Sequence, residues 1–529
     1  MDQTKPHSPS TVFPTGNTVL AEPASTALAK SSRCFFALLG LLMLLGVVLR
    51  VAYIDQNYSN PDERVALAVV KSLSFPDQWD TNWIKSEIDA GWHYDQYNFS
   101  SYHYLLYFWK SLISLFGIDW ADHLGPLRAL NGVLGVVFIG AIACATRQTD
   151  GEIAGLAAAA AAAILPLLVH DAHYLRCEAM LTAGMAILLW LSLHNAPGQR
   201  GRLLSAGLLA GWMIACKASM GLALPLLLLL LFTSAKGSQG NREKHWLPVS
   251  LLGLGCVLGF AIGVPWGVAQ PQKFLFGLAE LAKEYNTPMP PYTRPDMEPS
   301  IHAALAYLQG TLGWGFIAVT ALGFGRMIRI TGWGKAGFML LPLAAALIVF
   351  GGHALFTERS YSPFLPIAVV WFGVGTQFLL DAVIRQTAIL HNYRAVLAVF
   401  FLTVTLAVPS VCSWKIVFHV FSGREQVEKD AALVRMKGNL KGKVVRMFNV
   451  SFHPENYREI ASTIKNHEPV LVVLVDYYDA ITPTCLATLQ TGFHGRILGV
   501  RESIFPDLPS CQLNTFMSPR LWLLYIPPA

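Results

Sequence analysis

The chain has 529 residues, of which 53% are hydrophobic and only 14% charged, whereas soluble domains carry about a quarter charged residues. The net charge of +6 is small for this length and argues against a nucleic-acid partner, so the positive charges are better read by where they fall along apolar runs. The eight cysteines include no CxxC pair and no zinc-type spacing.

Residues 1–30 are rich in Ser, Thr, Pro and Ala without a hydrophobic period, which predicts a disordered cytoplasmic tail. The apolar run 33–53 follows Lys30 and Arg33; it is too long for a signal-peptide core and reads as a retained anchor with a cytoplasmic start. Further apolar runs come at 126–146, 152–169, 177–194, 203–217, 219–233, 248–268, 301–324, 336–356, 362–382 and 395–417, giving an α-helical polytopic membrane domain over 31–417 with about eleven transmembrane helices. Basic residues alternate across these runs. Arg147, Arg200, Arg202, Lys236, Arg242, Lys244, Arg326, Arg329, Lys335, Arg385 and Arg394 fall on the cytoplasmic side, and the short outer loops hold fewer.

The alternation gathers five polar segments on the outer face: Asp62-Glu63, residues 170–178, Lys217, the loop 269–300, and Glu358-Arg359. The first outer loop, 54–125, is too long for a connector and should hold short helices. Residues 100–116, with Tyr102, Tyr104, Tyr107, Phe108 and Trp109, read as an aromatic helix lying in the interface. Loop 269–300 carries six prolines around a helix and reads as a lid or spacer; Tyr285, Tyr292 and Arg294 would be its contact residues as a lid. Beyond residue 418 a helix at 425–436 precedes β-rich runs at 444–450, 470–478, 496–500 and 521–526, with a helix at 457–466 after the first. That pattern predicts a small extracytoplasmic α/β domain over 418–529. Cys485 and Cys511 fall in it and are the cysteines open to a disulfide, while Cys144, Cys216 and Cys256 in apolar runs read as small hydrophobes.

The chemistry-bearing candidates sit on the outer face. Asp62 and Glu63, after Pro61 at the mouth of a span, are either the capped first turn of a helix or acid/base groups. Glu178, just inside the next span, is either a second acidic group or half of an interface pair with Arg176. Lys217, Arg359, Arg176 and His353 are cations and donors placed to meet a phosphate. For Lys217 the competing reading is snorkelling to the headgroups, and for Arg359 an ion pair with Glu358. His170, Asp171 and His173 offer a loose metal set, which leaves a divalent metal as an option while requiring no cofactor.

These motifs, in this order, resemble the polyprenyl-phosphate-dependent membrane glycosyltransferases of the GT-C fold, and within them the protein O-mannosyltransferase and lipid A aminoarabinose transferase group. The resemblance runs from Asn60-Pro61-Asp62-Glu63 through Gly117 and Arg128-Ala129-Leu130-Asn131-Gly132 to residues 166–178, 211–217 and 359–366. Three features depart from the pattern: Ser101-Tyr102-His103-Tyr104 lacks prolines, Tyr361 stands one place late behind Ser360, and Trp79, Trp83 and Trp92 lengthen the first loop. The resemblance implies a multi-pass plasma (inner) membrane enzyme that moves a sugar, with inversion, from a polyprenyl-phosphate donor to a glycan, lipid or protein hydroxyl outside the cytoplasm. It implies Asp62 as base or acceptor-orienting group, Glu178 as the second acidic position, and Lys217 and Arg359 near the donor phosphate. Two alternatives stand beside it: a lipid-linked oligosaccharide ligase or polymerase, and a lipid or sugar transporter. The lack of repeated halves speaks against the transporter.

Overall fold

The computed structural model describes residues 24–55, 61–75, 101–120, 123–193, 199–235, 246–284, 298–386, 388–448, 454–476, 482–509 and 518–528. Tyr285, Tyr292, Arg294, Trp79, Trp83, Trp92, Cys511 and residues 1–23 of the predicted tail lie outside the described residues, as does the side chain of Asp62.

The chain opens with α1 (Ala24–Val51), α2 (Pro61–Ser72), α3 (Ser101–Leu115) and α4 (Gly125–Asp150). Gly151, with φ +92°, ends α4 and turns the chain into α5 (Glu152–Ile164), which is broken at Leu165 before α6 (Pro166–Ala172). Next come α7 (Glu178–Leu193), α8 (Gln199–Ile214), α9 (Leu224–Ala235), α10 (Trp246–Gly263), α11 (Pro265–Ala269) and α12 (Pro271–Glu284). The long α13 (Ile301–Gly351) is followed by α14 (Leu365–Ile384), α15 (Arg394–Thr405), α16 (Ala407–Lys415) and a π-helical turn, Ile416–Phe421. Five helices among the described residues are long and apolar enough to cross a membrane, or up to seven if each bent pair (α5–α6, and α15 with Ala407–Phe421) is one span. Eleven crossings would further require the shorter α7, α8 and α9, and two passes of α13 divided near Gly332, whose φ of +83° interrupts the helix.

Small residues let these helices approach closely, as membrane packing requires in the absence of a water-driven hydrophobic effect. The alanine-rich α5 is buried among α1, α4 and α14. Gly207 and Gly211 of α8 face Gly255 and Gly259 of α10 so tightly that a Cβ on Gly211 would lie 2.1 Å from the Cys256 carbonyl oxygen. Gly211→Ala should therefore destabilise the protein by about 1–3 kcal/mol, read as a lowered midpoint in a thermal melt. An unchanged midpoint would show that the two helices can separate freely.

The α5–α6 break explains a charge inside a span. Pro166 has no N–H, so the Ala162 carbonyl loses its i+4 donor. Arg50, 1% exposed, reaches across from α1 and donates to the carbonyls of Ala162 (2.8 Å) and Ala163 (2.9 Å). Such groups left unpaired in hydrocarbon would each cost several kcal/mol. Gly46 and Gly135 leave the room that the guanidinium stem occupies.

The bundle has two polar ends. At one, Arg147 pairs with Glu152, and Arg326 pairs with Asp150 and Asp381. At the other lie Glu63, residues 170–178 and Lys217.

The C-terminal part hangs from the second end. Phe421 stacks on His173 with ring centroids 4.1 Å apart. Gly423, in the left-handed region, then starts α17 (Arg424–Lys437). The strands β1 (Lys443–Phe448), β2 (Val470–Asp476), β3 (Arg496–Arg501) and β4 (Arg520–Ile526) form one sheet in the order β1-β2-β4-β3, with β1 parallel to β2 and β4 antiparallel to both its neighbours. α18 (Pro454–Lys465) and α19 (Thr482–Ala487) complete the element order. β2 is buried along its whole length. One face packs with Ile460 of α18, the other with Leu433 and Met436 of α17. Buried Glu425 is the tie: it accepts from Arg501 (2.6 Å) and Ser518 (2.7 Å) and lies 3.3 Å from His419. Ile504, Phe505 and Leu508, beyond β3, pack into the membrane-domain core.

Candidate active site

The site end is built around segment 170–178, between α6 and the first turn of α7. Pro61 opens α2, so Asp62 and Glu63 occupy its first turn, where acidic groups face the positive end of the helix dipole. Glu63 is 1% exposed and its partner Arg128 on α4 is 3% exposed. Arg128 grips both carboxylate oxygens, through Nε and Nη2, each at 2.8 Å. The Leu175 N–H donates to the same carboxylate at 2.8 Å, and Arg128 Nη1 donates to the Ile54 carbonyl at 2.7 Å. Glu63 therefore ties α2, α4 and the 170–178 segment together. This charge-assisted two-pronged geometry is the strong form of the ion pair, and it fixes the backbone of Asp62 one residue away.

Asn131, one turn after Arg128, holds the same segment from the other side. Its amide donates to the carbonyls of Tyr174 and Arg176, and its Oδ1 accepts from the Tyr102 hydroxyl at 3.1 Å. That bond anchors the first turn of α3, the aromatic helix, against α4.

Glu178 opens α7 and Lys217 follows α8 by three residues; Lys217 Nζ donates to Glu178 Oε1 at 3.2 Å. The Cys177 thiol lies 3.8 Å from Glu178 Oε2. Arg359 and Arg176 also act electrostatically on this carboxylate. Lys217, a fifth exposed, is thus in contact with one buried acid on which Arg359 and Arg176 act electrostatically. Such a cluster can hold an anion beside a carboxylate.

Asp171 accepts from the Ser362 hydroxyl, which fastens segment 170–178 to the turn Glu358–Phe364 that carries Arg359. His170 Nδ1 lies 3.4 Å from Asp171 Oδ1. His173 points elsewhere: its ring nitrogens contact the carbonyls of Val169 (2.8 Å) and Ala52 (3.1 Å). Burial holds its pKa down to about 4, so the ring is neutral at neutral pH and its single N–H serves one of these carbonyls at a time. Among the described residues, the group of His, Asp, Glu and Cys ligand atoms near enough to share an ion is His419, Glu425 and Glu428, at the root of the C-terminal part. His353 offers its carbonyl to the Ser300 N–H, 2.8 Å away at the start of α13. A cavity just large enough for a water lies behind the site, lined by Arg50, Asn131, Asp171 and Thr182 among others.

Sequence reading thus named Glu63, Glu178, Lys217, Arg176 and Arg359, which the structure brings to one end. It passed over Arg128, Asn131, Ser362 and Arg50 as functional groups. For Arg50 and Arg128 the signal was available: each is a charge inside an apolar run, where charges need a role.

Residues 106–262 match the sequence model of the dolichyl-phosphate-mannose-protein mannosyltransferase family. The matched stretch contains the motifs at 128–132, 166–178 and 211–217; Asp62 and residues 359–366 fall outside it. No curated protein matches the chain. Among solved structures, ArnT from Cupriavidus metallidurans bound to undecaprenyl phosphate is 15% identical, with 92% of this chain and 97% of that one covered and a TM-score of 0.49. The Archaeoglobus fulgidus oligosaccharyltransferase tethered with an acceptor peptide is 13% identical, with 77% and 57% covered and a TM-score of 0.47. The same archaeal AglB in complex with an inhibitory peptide and a dolichol-phosphate is 12% identical, with 81% and 59% covered and a TM-score of 0.48. The chain spans less than three fifths of the archaeal enzyme's own length. At these scores the structural likenesses are distant.

Proposed function

We propose that the protein is an inverting glycosyltransferase that moves a sugar from a polyprenyl-phosphate donor to a hydroxyl acceptor outside the cytoplasm. The observation that carries this reading is the contact of Lys217 with buried Glu178, with Arg359 and Arg176 acting electrostatically on the same carboxylate. The family match over residues 106–262, to enzymes described by a dolichyl-phosphate-mannose donor, supports the donor class.

In this reading the acceptor oxygen attacks the anomeric carbon from the face opposite the phosphate. The new C–O bond forms as the anomeric carbon–phosphate oxygen bond breaks, and the acceptor proton passes to a carboxylate, Asp62 or Glu178. The leaving polyprenyl phosphate gains negative charge, which Lys217, Arg359 and Arg176 stabilise in a site partly shielded from water. Glu63 acts through its grip on Arg128 and Leu175, which positions Asp62. His353, and Tyr285, Tyr292 and Arg294 of the 269–300 loop, are proposed donor- and acceptor-side contacts. No step runs through a metal at His170, Asp171 or His173.

The experiment is a donor-fate measurement with the purified protein in lipid nanodiscs and a polyprenyl-phosphate sugar labelled in the sugar. The expected result is acceptor-dependent release of the unlabelled polyprenyl phosphate and a glycoside of inverted configuration. Donor that crosses proteoliposome membranes intact, with no cleavage in nanodiscs, would make the protein a transporter instead.

A further inference from the structure

The helix that follows α10 and α11 is apolar on two faces. α10 ends at Gly263, where an added Cβ would lie 2.5 Å from the Cβ of Ala215 and 3.2 Å from that of Ser101. Ala215 stands two residues before Lys217, so this end of α10 is level with the candidate site. α11 turns the chain, and α12 folds back onto the end of α10. Phe274 packs against Phe260 and Trp266, with ring centroids 5.7 and 5.6 Å away. Buried Phe274, with Leu278 beside it, closes a small core with Ala215, Val264 and Trp266. At about 3.6 residues per turn, Leu275, Phe276 and Ala279 fall on the face of α12 turned away from that core. All three are exposed, Leu275 by 63% and Phe276 by 53%. Val268 of α11 and Leu254, Val257 and Ile262 of α10 are exposed in the same way.

We propose that α12 lies in the plane of the outer leaflet, with Leu275 and Phe276 in lipid at the boundary between headgroups and acyl chains. A helix with apolar side chains on its outward face as well as its protein-facing one needs an apolar surrounding on both sides. The outward face of α12 continues, through Val268, the exposed face of α10, a helix long and apolar enough to cross a membrane. Phe274 sets the depth. Its partner Phe260 is three residues before the end of α10, about 4–5 Å below it at 1.5 Å per residue. In-plane helices sink their apolar face by about 5–10 Å. Gln272 and Lys283 bound the outward face at its two ends and are exposed, where a long polar side chain reaches up to the headgroups. The partner is the bilayer surface, met through acyl chains. α12 is then an anchor of the 269–300 loop and not the moving part of a lid.

The test uses the full-length wild-type protein in lipid nanodiscs containing a phosphatidylcholine with a photoreactive diazirine on its acyl chain. The diazirine is placed either next to the glycerol or at the terminal methyl, and the adducts formed on illumination are mapped by peptide mass spectrometry. α10 is the internal reference: Val257 lies six residues before Gly263, about 9 Å deeper in the span. The expected result is adducts on Leu275 or Phe276 from the shallow probe that are lost with the deep probe, while the deep probe labels Val257. Labelling of α10 with none on residues 271–284 from either probe would overturn the proposal. Equal labelling of residues 271–284 by both probes would place the helix within the span and overturn its in-plane position. Adducts there that form only from a photoreactive polyprenyl phosphate would also overturn it, because α12 would then cover a bound lipid and not rest in the bilayer. These outcomes are independent of whether the protein transfers a sugar.

Discussion

Glu178→Gln is expected to lower donor cleavage by roughly 10²- to 10⁴-fold, the range that a general base contributes. The substitution keeps the size and the hydrogen-bonding shape of the side chain but removes the charge that Lys217 contacts and on which Arg359 and Arg176 act electrostatically. Lys217→Met should cost a comparable factor by a different route, because it removes charge stabilisation from the leaving phosphate, an effect of about 10²–10³ for one well-placed donor. The two variants separate in their dependence on donor concentration. Loss of the base should fall on kcat. Loss of the cation should fall on kcat and also raise KM for the donor, since a ground-state phosphate already carries charge. If both variants turn over at the wild-type rate while remaining folded, the cluster at the mouth of α7 is a structural ion network.

Arg128→Met is the largest expected effect on stability. It strands the Glu63 carboxylate where the structure holds it 1% exposed between α2, α4 and the 170–178 segment. Breaking one side of a buried pair costs about 3–5 kcal/mol, whereas replacing both partners with apolar side chains is often close to neutral. The double variant Arg128→Met with Glu63→Met should therefore recover most of the melting temperature that the single variant loses. It should not recover donor cleavage, because the first turn of α2, and with it Asp62, is no longer fixed against α4. A double variant as unstable as the single one would show that the pair acts through something other than its charge.

Much of this arrangement was legible locally. The apolar runs, the aromatic helix α3 and the four strands follow from periodicity and composition, and their observed ranges fall within two residues of those read from β-rich runs at 444–450, 470–478, 496–500 and 521–526. The alternation of basic residues put Glu63, residues 170–178 and Lys217 on one face, and hydrogen bonds join them there. What local sequence cannot carry is the identity of a distant partner. Glu63 and Arg128 are 65 residues apart, and Asp171 and Ser362 are 191 apart. Nothing in the two-residue neighbourhood of Glu63 distinguishes a free acid from one held by a guanidinium. The loose His170-Asp171-His173 spacing likewise looks like a ligand set. Only packing reveals that Phe421 and the carbonyls of Ala52 and Val169 take the ring of His173. Arg50 teaches the reverse lesson: Pro166 breaks the helix, and a charge inside the first span, α1, is the group that repairs it.

The most direct measurement is single-turnover cleavage of a labelled polyprenyl-phosphate sugar by wild-type protein, Asp62→Asn and Glu178→Gln in the same nanodiscs, with thermal melts confirming that all three are folded. The account predicts rapid cleavage by the wild type and a loss of roughly 10²-fold or more in Glu178→Gln, with Asp62→Asn showing whether Asp62 shares the acceptor's proton. Full-rate cleavage by both variants would contradict it, since neither carboxylate would then be taking the acceptor's proton.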